Sequence, residues 1–192
     1  MTASRSARTR DRLQDAALAL MTEQGYDATT VEQIAQRAGV SHMTFFRHFP
    51  TKQAVVLDDP YDPAMADALR RQDASLPALE QVRRALLAAW AALPEPDDDR
   101  TRVRVRLAAT HPALRAGVWS GNQRTEDLLV AVLLERDVPA LEARVAAGAC
   151  LGALMAALLH WGVAEDGPPL GSVVRTALEQ LRGRGPEVAA RD

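Results

Sequence analysis

The sequence predicts an all-α protein, in which a small N-terminal helix-turn-helix domain is followed by a larger helical domain. Along most of the 192 residues, apolar side chains recur with the 3.6-residue period of an α-helix. Hydrophobic residues make up 47% of the chain and aromatic residues only 4%, which favours a core of helices packed on helices. Residues 29–52 hold two short helical patterns around a tight turn, which is helix-turn-helix spacing.

A first helix is predicted over residues 10–24, and Gly25 ends it. The residues before it, 1–9, are rich in Ser, Arg and Thr and are expected to form a flexible basic arm. Apolar side chains at helical spacing mark the buried face of the first helix, namely Leu13, Ala16, Ala17, Leu20 and Met21. This helix should therefore pack against the helix pair that follows.

The helix pair has recognisable start and stop signals. Thr29 or Thr30 can cap the first helix of the pair, and Gly39 can end it because glycine readily adopts positive φ. Ser41 can then cap the second helix, and Pro50 bounds it. The buried face of the first helix follows i, i+3, i+4, i+7 spacing, with Val31, Ile34, Ala35 and Ala38.

The stretch G-Y-D-A-T-T-V-E-Q-I-A-Q-R-A-G-V-S-H-M-T-F-F-R-H-F-P-T-K, residues 25–52, resembles the DNA-binding domain of TetR-family transcriptional repressors. The resemblance runs from about Arg10 to Val56. Its form F-F-R-H-F-P-T-K is similar to a subgroup that includes mycofactocin-type regulators. The resemblance implies a DNA-binding domain over 10–57, a ligand-binding and dimerisation domain over 58–183, and a polar tail over 184–192.

The resemblance implies that the second helix of the pair lies in the major groove. His42, Met43 and Thr44 occupy its first turn, which meets base edges, and Thr44 can hydrogen-bond a base or contact a thymine methyl. The family often has Gly in place of Met43 and Tyr in place of Phe46, so a usual phosphate hydrogen bond is absent here. The predicted DNA-binding residues are Thr30, Ser41, His42, Met43, Thr44, Phe46, Arg47, His48 and Lys52.

The charge distribution supports a nucleic-acid partner for the N-terminal domain. Residues 1–57 carry seven basic and five acidic side chains, which leaves −4 for the rest of a chain whose net charge is −2. Arg47, His48 and Lys52 are expected to contact phosphates, although each could be an ordinary surface group. Arg5 and Arg8 can reach phosphates or a narrow minor groove; the alternative is a disordered terminus without a role.

The remainder of the chain predicts further helices. The segment D-D-P-Y-D-P, residues 58–63, is interpreted as an acidic linker rather than a metal site, because no His or Cys completes a ligand set. Residues 101–107 alternate like a strand, but a helix is preferred because a lone short strand has no partner. The predicted helices are 52–57, 63–72, 77–93, one containing 101–107, 113–135 with a possible interruption at Gly117 or Gly121, one from Pro139 to about 162, and 169–183.

The helix after Pro139 is apolar on two sides and therefore needs two neighbours. One neighbour is its own domain, and the other is expected to be a second subunit, since Gly148, Gly152 and Ala156 permit close approach. Together with the family resemblance, this pattern predicts a homodimer built by residues 138–164 and 169–183 as a four-helix contact. Cys150 lies in this apolar run and is interpreted as a small buried residue rather than a redox switch.

By resemblance, the C-terminal helices should enclose an effector pocket. A mainly apolar small molecule with an acid or acyl-thioester group is expected, held by apolar walls and a few polar groups. The predicted ligand-binding residues are Met65, Leu86, Trp90, Arg106, Leu107, His111, Trp119 and Asn122. No cofactor or metal is expected.

Other functions fit the sequence less well. An all-helical enzyme is the first alternative, but no phosphate loop, metal-ligand spacing or catalytic triad is visible. The second alternative is a regulator controlled by a protein partner without a small-molecule effector. A single cysteine and the absence of a signal-peptide core or a lone membrane span favour the cytoplasm and no membrane partner.

Overall fold

The computed structural model describes residues 5–57, 62–92, 98–164 and 166–182, and these residues form ten α-helices without a strand. The all-α prediction is confirmed, and residues 101–107 are helical. The helices are α1 Arg5–Gln24, α2 Val31–Arg37, α3 His42–His48, α4 Lys52–Leu57, α5 Asp62–Arg70, α6 Ala78–Ala91, α7 Asp98–Thr110, α8 Pro112–Leu134, α9 Ala140–Val163 and α10 Leu170–Glu179. The linker residues 58–61 and the predicted tail 184–192 lie outside the described residues.

Helix α1 starts earlier than the sequence predicts. Residues 5–9, which were expected to belong to a flexible arm, form its first turns, and the Thr9 hydroxyl donates to the Arg5 carbonyl at 3.0 Å. Four-residue spacing from Thr9 through Leu13 to Ala17 continues the helical pattern, so the chain has no local reason to break at Arg10. The arginines of the predicted arm are therefore carried on a helix.

One compact unit contains α1–α4, α7 and the part of α8 up to Gln123. Leu114 of α8 is fully buried in its core, and Leu107 of α7 packs against the same cluster. Other core members are Leu13, Ala17, Met21, Ile34, Phe45, Phe49, Val55 and Val56. The DNA-binding helices thus share a hydrophobic core with two segments that come after residue 57 in the sequence.

Helix α8 runs through Gly117 and Gly121 without the interruption that the sequence allowed. Gly117 packs closely against the end of α4, because a side chain there would meet the Leu57 δ-methyl group and require that group to move. Arg104 of α7 donates to the Val56 carbonyl at 3.1 Å. The C-terminal end of α4 is therefore held by both α7 and α8.

The second unit contains α5, α6, the part of α8 from Arg124, α9 up to Trp161, and α10. Arg136 closes the end of α5 by donating to the Leu69 and Arg70 carbonyls at 3.0 and 2.8 Å. On α6, the buried Arg83 pairs with Glu80 at 2.7 Å, and this hydrogen bond, with a smaller contribution from Arg84, lowers the pKa of Glu80 to about 2.

Helix α9 is long and apolar enough to cross a membrane by length and composition. Its buried residues, among them Ala147, Cys150 and Leu151, pack inside the second unit, as in the core helix of a soluble protein. Burial raises the pKa of the Cys150 thiol to about 12, and its Sγ donates to the Leu79 carbonyl at 3.7 Å. A protonated, buried thiol is unreactive, which supports a packing role for this cysteine.

Candidate nucleic-acid interface

Local sequence signals form the helix-turn-helix. Thr30 caps α2 in a complete capping box, in which its hydroxyl oxygen accepts from the Gln33 N–H at 3.2 Å and the Gln33 side chain accepts from the Thr30 N–H at 2.9 Å. Gly39 adopts φ +65°, where a Cβ would be strained, and Ser41 then caps α3 by accepting from the Thr44 N–H at 3.2 Å. The tight turn therefore follows from residues that the sequence itself identifies.

The two faces of α3 differ sharply. Phe45 is fully buried, as is Phe49 directly after the helix, and together they anchor α3 on the core. Met43 is 70% exposed and Phe46 is 42% exposed. His42 and Arg47 are also exposed, and Thr44 and His48 are half-buried. Seven of the nine predicted DNA-binding residues thus belong to this element: six lie within α3, and Ser41 caps it.

Several polar side chains on this side are paired with each other. Thr44 Oγ1 lies 2.9 Å from Ser41 Oγ and accepts from Arg47 Nη2 at 3.0 Å. His42 Nε2 lies 3.2 Å from Glu32 Oε1 on α2. The pKa of the Glu32 carboxyl is lowered, first by its own backbone hydrogen bond, then by the Thr30 side chain, with a further contribution from His42.

A basic cleft lies beside α3. Its volume is about 790 Å³, and it is lined by Arg5, Arg8, Thr9, Arg12, Gly39, Val40, Thr44 and Arg47. Three of its four arginines come from the start of α1 and one comes from α3. Guanidinium groups bind phosphate through fixed donor geometry, so this cleft is suited to a nucleic-acid backbone.

Two arginines of α1 hold the helix-turn-helix in place. Arg12 donates to the Ala38 carbonyl at the end of α2. Arg10 donates to the His48 carbonyl at 3.1 Å and lies 4.3 Å from the centre of the Phe49 ring. Sequence reasoning missed these positioning roles, because the partners are 26 and 38 residues away along the chain.

Lys52 has a structural role that the sequence did not suggest. Its Nζ donates to the Tyr26 and Thr29 carbonyls, both at 2.8 Å, and lies 4.2 Å from the centre of the Tyr26 ring. Two of its three donors are therefore used inside the protein, which leaves one for a phosphate. The phosphate contact of Lys52 stays a prediction. In the protein without DNA, this ammonium group holds the Tyr26 and Thr29 carbonyls.

Changing Lys52 and Arg47 should separate these roles. Arg47→Ala is expected to weaken binding to all DNA sequences and to reduce the salt slope by about one, because it removes one phosphate-neutralising charge. In addition to weakening DNA binding, Lys52→Met should lower the free energy of unfolding by about 1–3 kcal/mol, because the Tyr26 and Thr29 carbonyls lose their donor. Affinity measured against salt, together with chemical denaturation, checks both. An unchanged salt slope in Arg47→Ala would contradict this assignment.

The predicted ligand-binding residues fall in both compact units. Met65, Leu86 and Trp90 belong to the second unit, where the first two are buried and the indole lies against Gly171 of α10. The others, Arg106, Leu107, His111, Trp119 and Asn122, belong to the unit of the DNA-binding helices.

Three of these residues already have other surroundings. Leu107 packs on the DNA-binding core, His111 Nε2 lies 3.2 Å from Asp27 Oδ1 beside the Tyr26 ring, and Trp119 is 60% exposed. These residues were grouped because each lies in or beside an apolar segment of the sequence. In the folded protein their contacts differ from one another. Among the described residues, no cluster of His, Cys, Asp or Glu suits a metal ion.

Comparisons with known proteins agree with this geometry. Residues 13–58 match the family described as bacterial regulatory proteins, tetR family, and residues 76–186 match the MftR C-terminal domain, which confirms the narrower resemblance as well. The transcriptional regulator TcmR of Streptomyces glaucescens is 35% identical over 137 residues, covering 68% of this chain and 61% of TcmR. The chain thus spans about three-fifths of that relative.

Solved structures show the same fold. The fatty acid degradation regulator FadR from Bacillus halodurans has a TM-score of 0.58 at 19% identity, covering 96% of this chain and 98% of that one. FadR of Thermus thermophilus has a TM-score of 0.54 at 21% identity, covering 95% and 98%. The helix-turn-helix, the basic cleft and a C-terminal family match over more than half of the chain lead to one conclusion: this protein is a transcriptional regulator of the TetR family and not an enzyme.

Proposed function

We propose that this protein is a cytoplasmic, ligand-responsive repressor that binds a palindromic operator as a homodimer. The observation that carries the proposal is the open side of α3, flanked by the arginine-lined cleft. A helix seated in the major groove needs a charged surface beside it for the phosphates, and this unit provides both.

The dimer part of the proposal rests on α9. Leu141 and Val145 are 78% and 60% exposed, and Gly152 and Ala156 continue the same helical face into solvent. A face of large apolar and small residues suits close contact with a second subunit. The apolar side of α10, by contrast, is buried inside its own unit through Leu170, Val174 and Leu178. The contribution of 169–183 to the dimer would therefore come from its polar side.

The operator should be a palindrome with half-sites about one helical turn apart, or farther for a wide dimer. Selection of bound duplexes from a random pool gives the site, and gel shifts then compare the intact palindrome with a single half-site. The intact palindrome is expected to bind at least tenfold more tightly, because both subunits engage it. Equal affinity for the two duplexes would overturn the symmetric-dimer proposal.

We also propose that a mainly apolar effector with an acid or acyl-thioester group releases the operator. Met65, Leu86 and Trp90 supply apolar candidates for the pocket wall, and the Thermus thermophilus FadR structure is of a complex with lauroyl-CoA. Within the first unit, Arg104 of α7 holds the Val56 carbonyl at the end of α4, so a ligand-dependent change in α7 would act on α4. Ligand and DNA would then favour different positions of α4.

Titration of acyl-thioesters and fatty acids should change Trp fluorescence and lower operator affinity by about 5–150-fold. In Arg104→Gln the ligand should still bind, but operator release should weaken, since the contact to α4 is altered. Arg124→Gln, an exposed change on α8, is the matched control and should release normally. Tight ligand binding without any loss of operator affinity in the unmodified protein would eliminate the switch.

Control by a protein partner is the second candidate. It predicts that no small molecule raises the melting temperature, whereas an effector at a hundred times its Kd should stabilise the folded state by about 2.7 kcal/mol. Thermal melting with the same compounds distinguishes the two forms of control.

A further inference from the structure

Two large apolar side chains lie on the part of α3 that faces solvent. Met43 and Phe46 are three residues apart and so share a helical face, and both are exposed. Single exposed apolar residues are ordinary on protein surfaces. Here, however, two large ones occupy the helix that must enter the major groove if the proposed function holds.

The polar side chains of the same helix are less available. Thr44 is engaged with Ser41 and Arg47, and His42 with Glu32. Part of the hydrogen-bonding capacity of each side chain is therefore already used inside the protein, and His42 keeps only its Nδ1 for a base edge. Met43 is apolar and loses no hydrogen bond when it is buried. Its contact with an apolar group of the DNA therefore contributes favourably to the free energy of binding.

Phe46 is also held ready for contact. Its ring packs edge-on against Phe45, with centroids 5.3 Å apart, and against His42, with centroids 4.7 Å apart. Because Phe45 is part of the buried core, this contact restricts the orientations open to Phe46 before DNA binds. A preorganised side chain loses little rotamer freedom on binding.

The apolar group that base pairs present in the major groove is the C5-methyl of thymine. We propose that Met43 and Phe46 determine operator sequence by apolar contact with thymine methyl groups. Each half-site then carries thymine at the positions that these two side chains reach. This inference rests on the proposed operator binding and adds the chemistry by which the sequence is read.

Thymine-to-uracil replacement tests the inference directly, because it removes the methyl and keeps base pairing. The duplex is the one selected from the random pool by the full-length protein, and each thymine is replaced singly in one half-site. Affinity at fixed salt is expected to fall about fourfold at one or two positions, the value of one buried methyl. At other thymines the affinity should be unchanged.

Variants assign each position to a side chain. Met43→Ala and Phe46→Ala should each bind the thymine and uracil duplexes equally at the position that the removed side chain reads. Arg47→Ala is the matched control: it should bind both duplexes more weakly but keep the fourfold ratio. Thermal melting of each variant checks that these exposed changes leave the fold intact.

The outcomes separate this inference from the proposed function. A tightly bound selected operator in which no uracil replacement matters would overturn thymine reading and leave operator binding standing. Methyl sensitivity that persists in both Met43→Ala and Phe46→Ala would overturn the assignment to these residues. Failure of the pool to yield any preferred duplex would instead overturn the proposed operator binding.

Discussion

Gly152→Leu is expected to convert the protein to a monomer and to lower operator affinity by about 100-fold or more. Gly152 is exposed on α9, and a Cβ built there meets no heavy atom within 4 Å. A leucine side chain therefore fits the isolated subunit but would hold two α9 helices apart in a dimer. The loss of affinity follows because two linked half-site contacts become independent events. Sedimentation velocity and gel shifts measure the two effects.

Controls distinguish assembly from folding. Gly152→Ala should remain dimeric, and its melting temperature should rise slightly because alanine favours the helix by about 0.5–1 kcal/mol. Ala88→Leu makes a comparable enlargement at an exposed position of α6 and should leave the dimer unchanged. A Gly152→Leu protein that sediments as a dimer and binds the palindrome normally would place the subunit contact elsewhere.

Phe45→Ala should lower the free energy of unfolding by about 3–5 kcal/mol and abolish specific DNA binding. Phe45 is fully buried, with 0% relative solvent exposure, and it contacts Phe49 with ring centroids 6.0 Å apart. The cavity left by the missing ring removes much of the free energy of unfolding, which is about 5–15 kcal/mol for a typical domain. Helix α3 then loses its anchor on the hydrophobic core. Urea denaturation and operator affinity report on the two losses.

The adjacent Phe46 provides the matched control. Phe46→Ala removes a side chain of the same size that is 42% exposed, so the loss of stability should be well under that of Phe45→Ala. Its DNA binding should change in sequence preference and not disappear. Equal losses of stability from the two substitutions would contradict the assignment of Phe45 to the core and of Phe46 to the exposed face of α3.

Interactions between neighbouring residues account for the local structure. The capping box at Thr30, the cap at Ser41 and the positive φ of Gly39 were all predicted, because each depends on groups within a few residues of one another. Helical periodicity and cap signals likewise predicted the helices of the described residues, with shifted ends, except that residues 101–107 alternate like a strand and were assigned to a helix because a lone strand has no partner. These features also carried the family resemblance.

Long-range packing determines which long side chains can contact DNA and which are held by partners inside the protein. Lys52 reaches the Tyr26 and Thr29 carbonyls, Arg10 reaches the end of α3, and His111 reaches Asp27, which is 84 residues away in sequence. A charged side chain of this length has several possible partners, and its sequence neighbours do not select among them. Packing of the helices selects the partner, because a carbonyl or ring becomes available only after distant segments have been brought together.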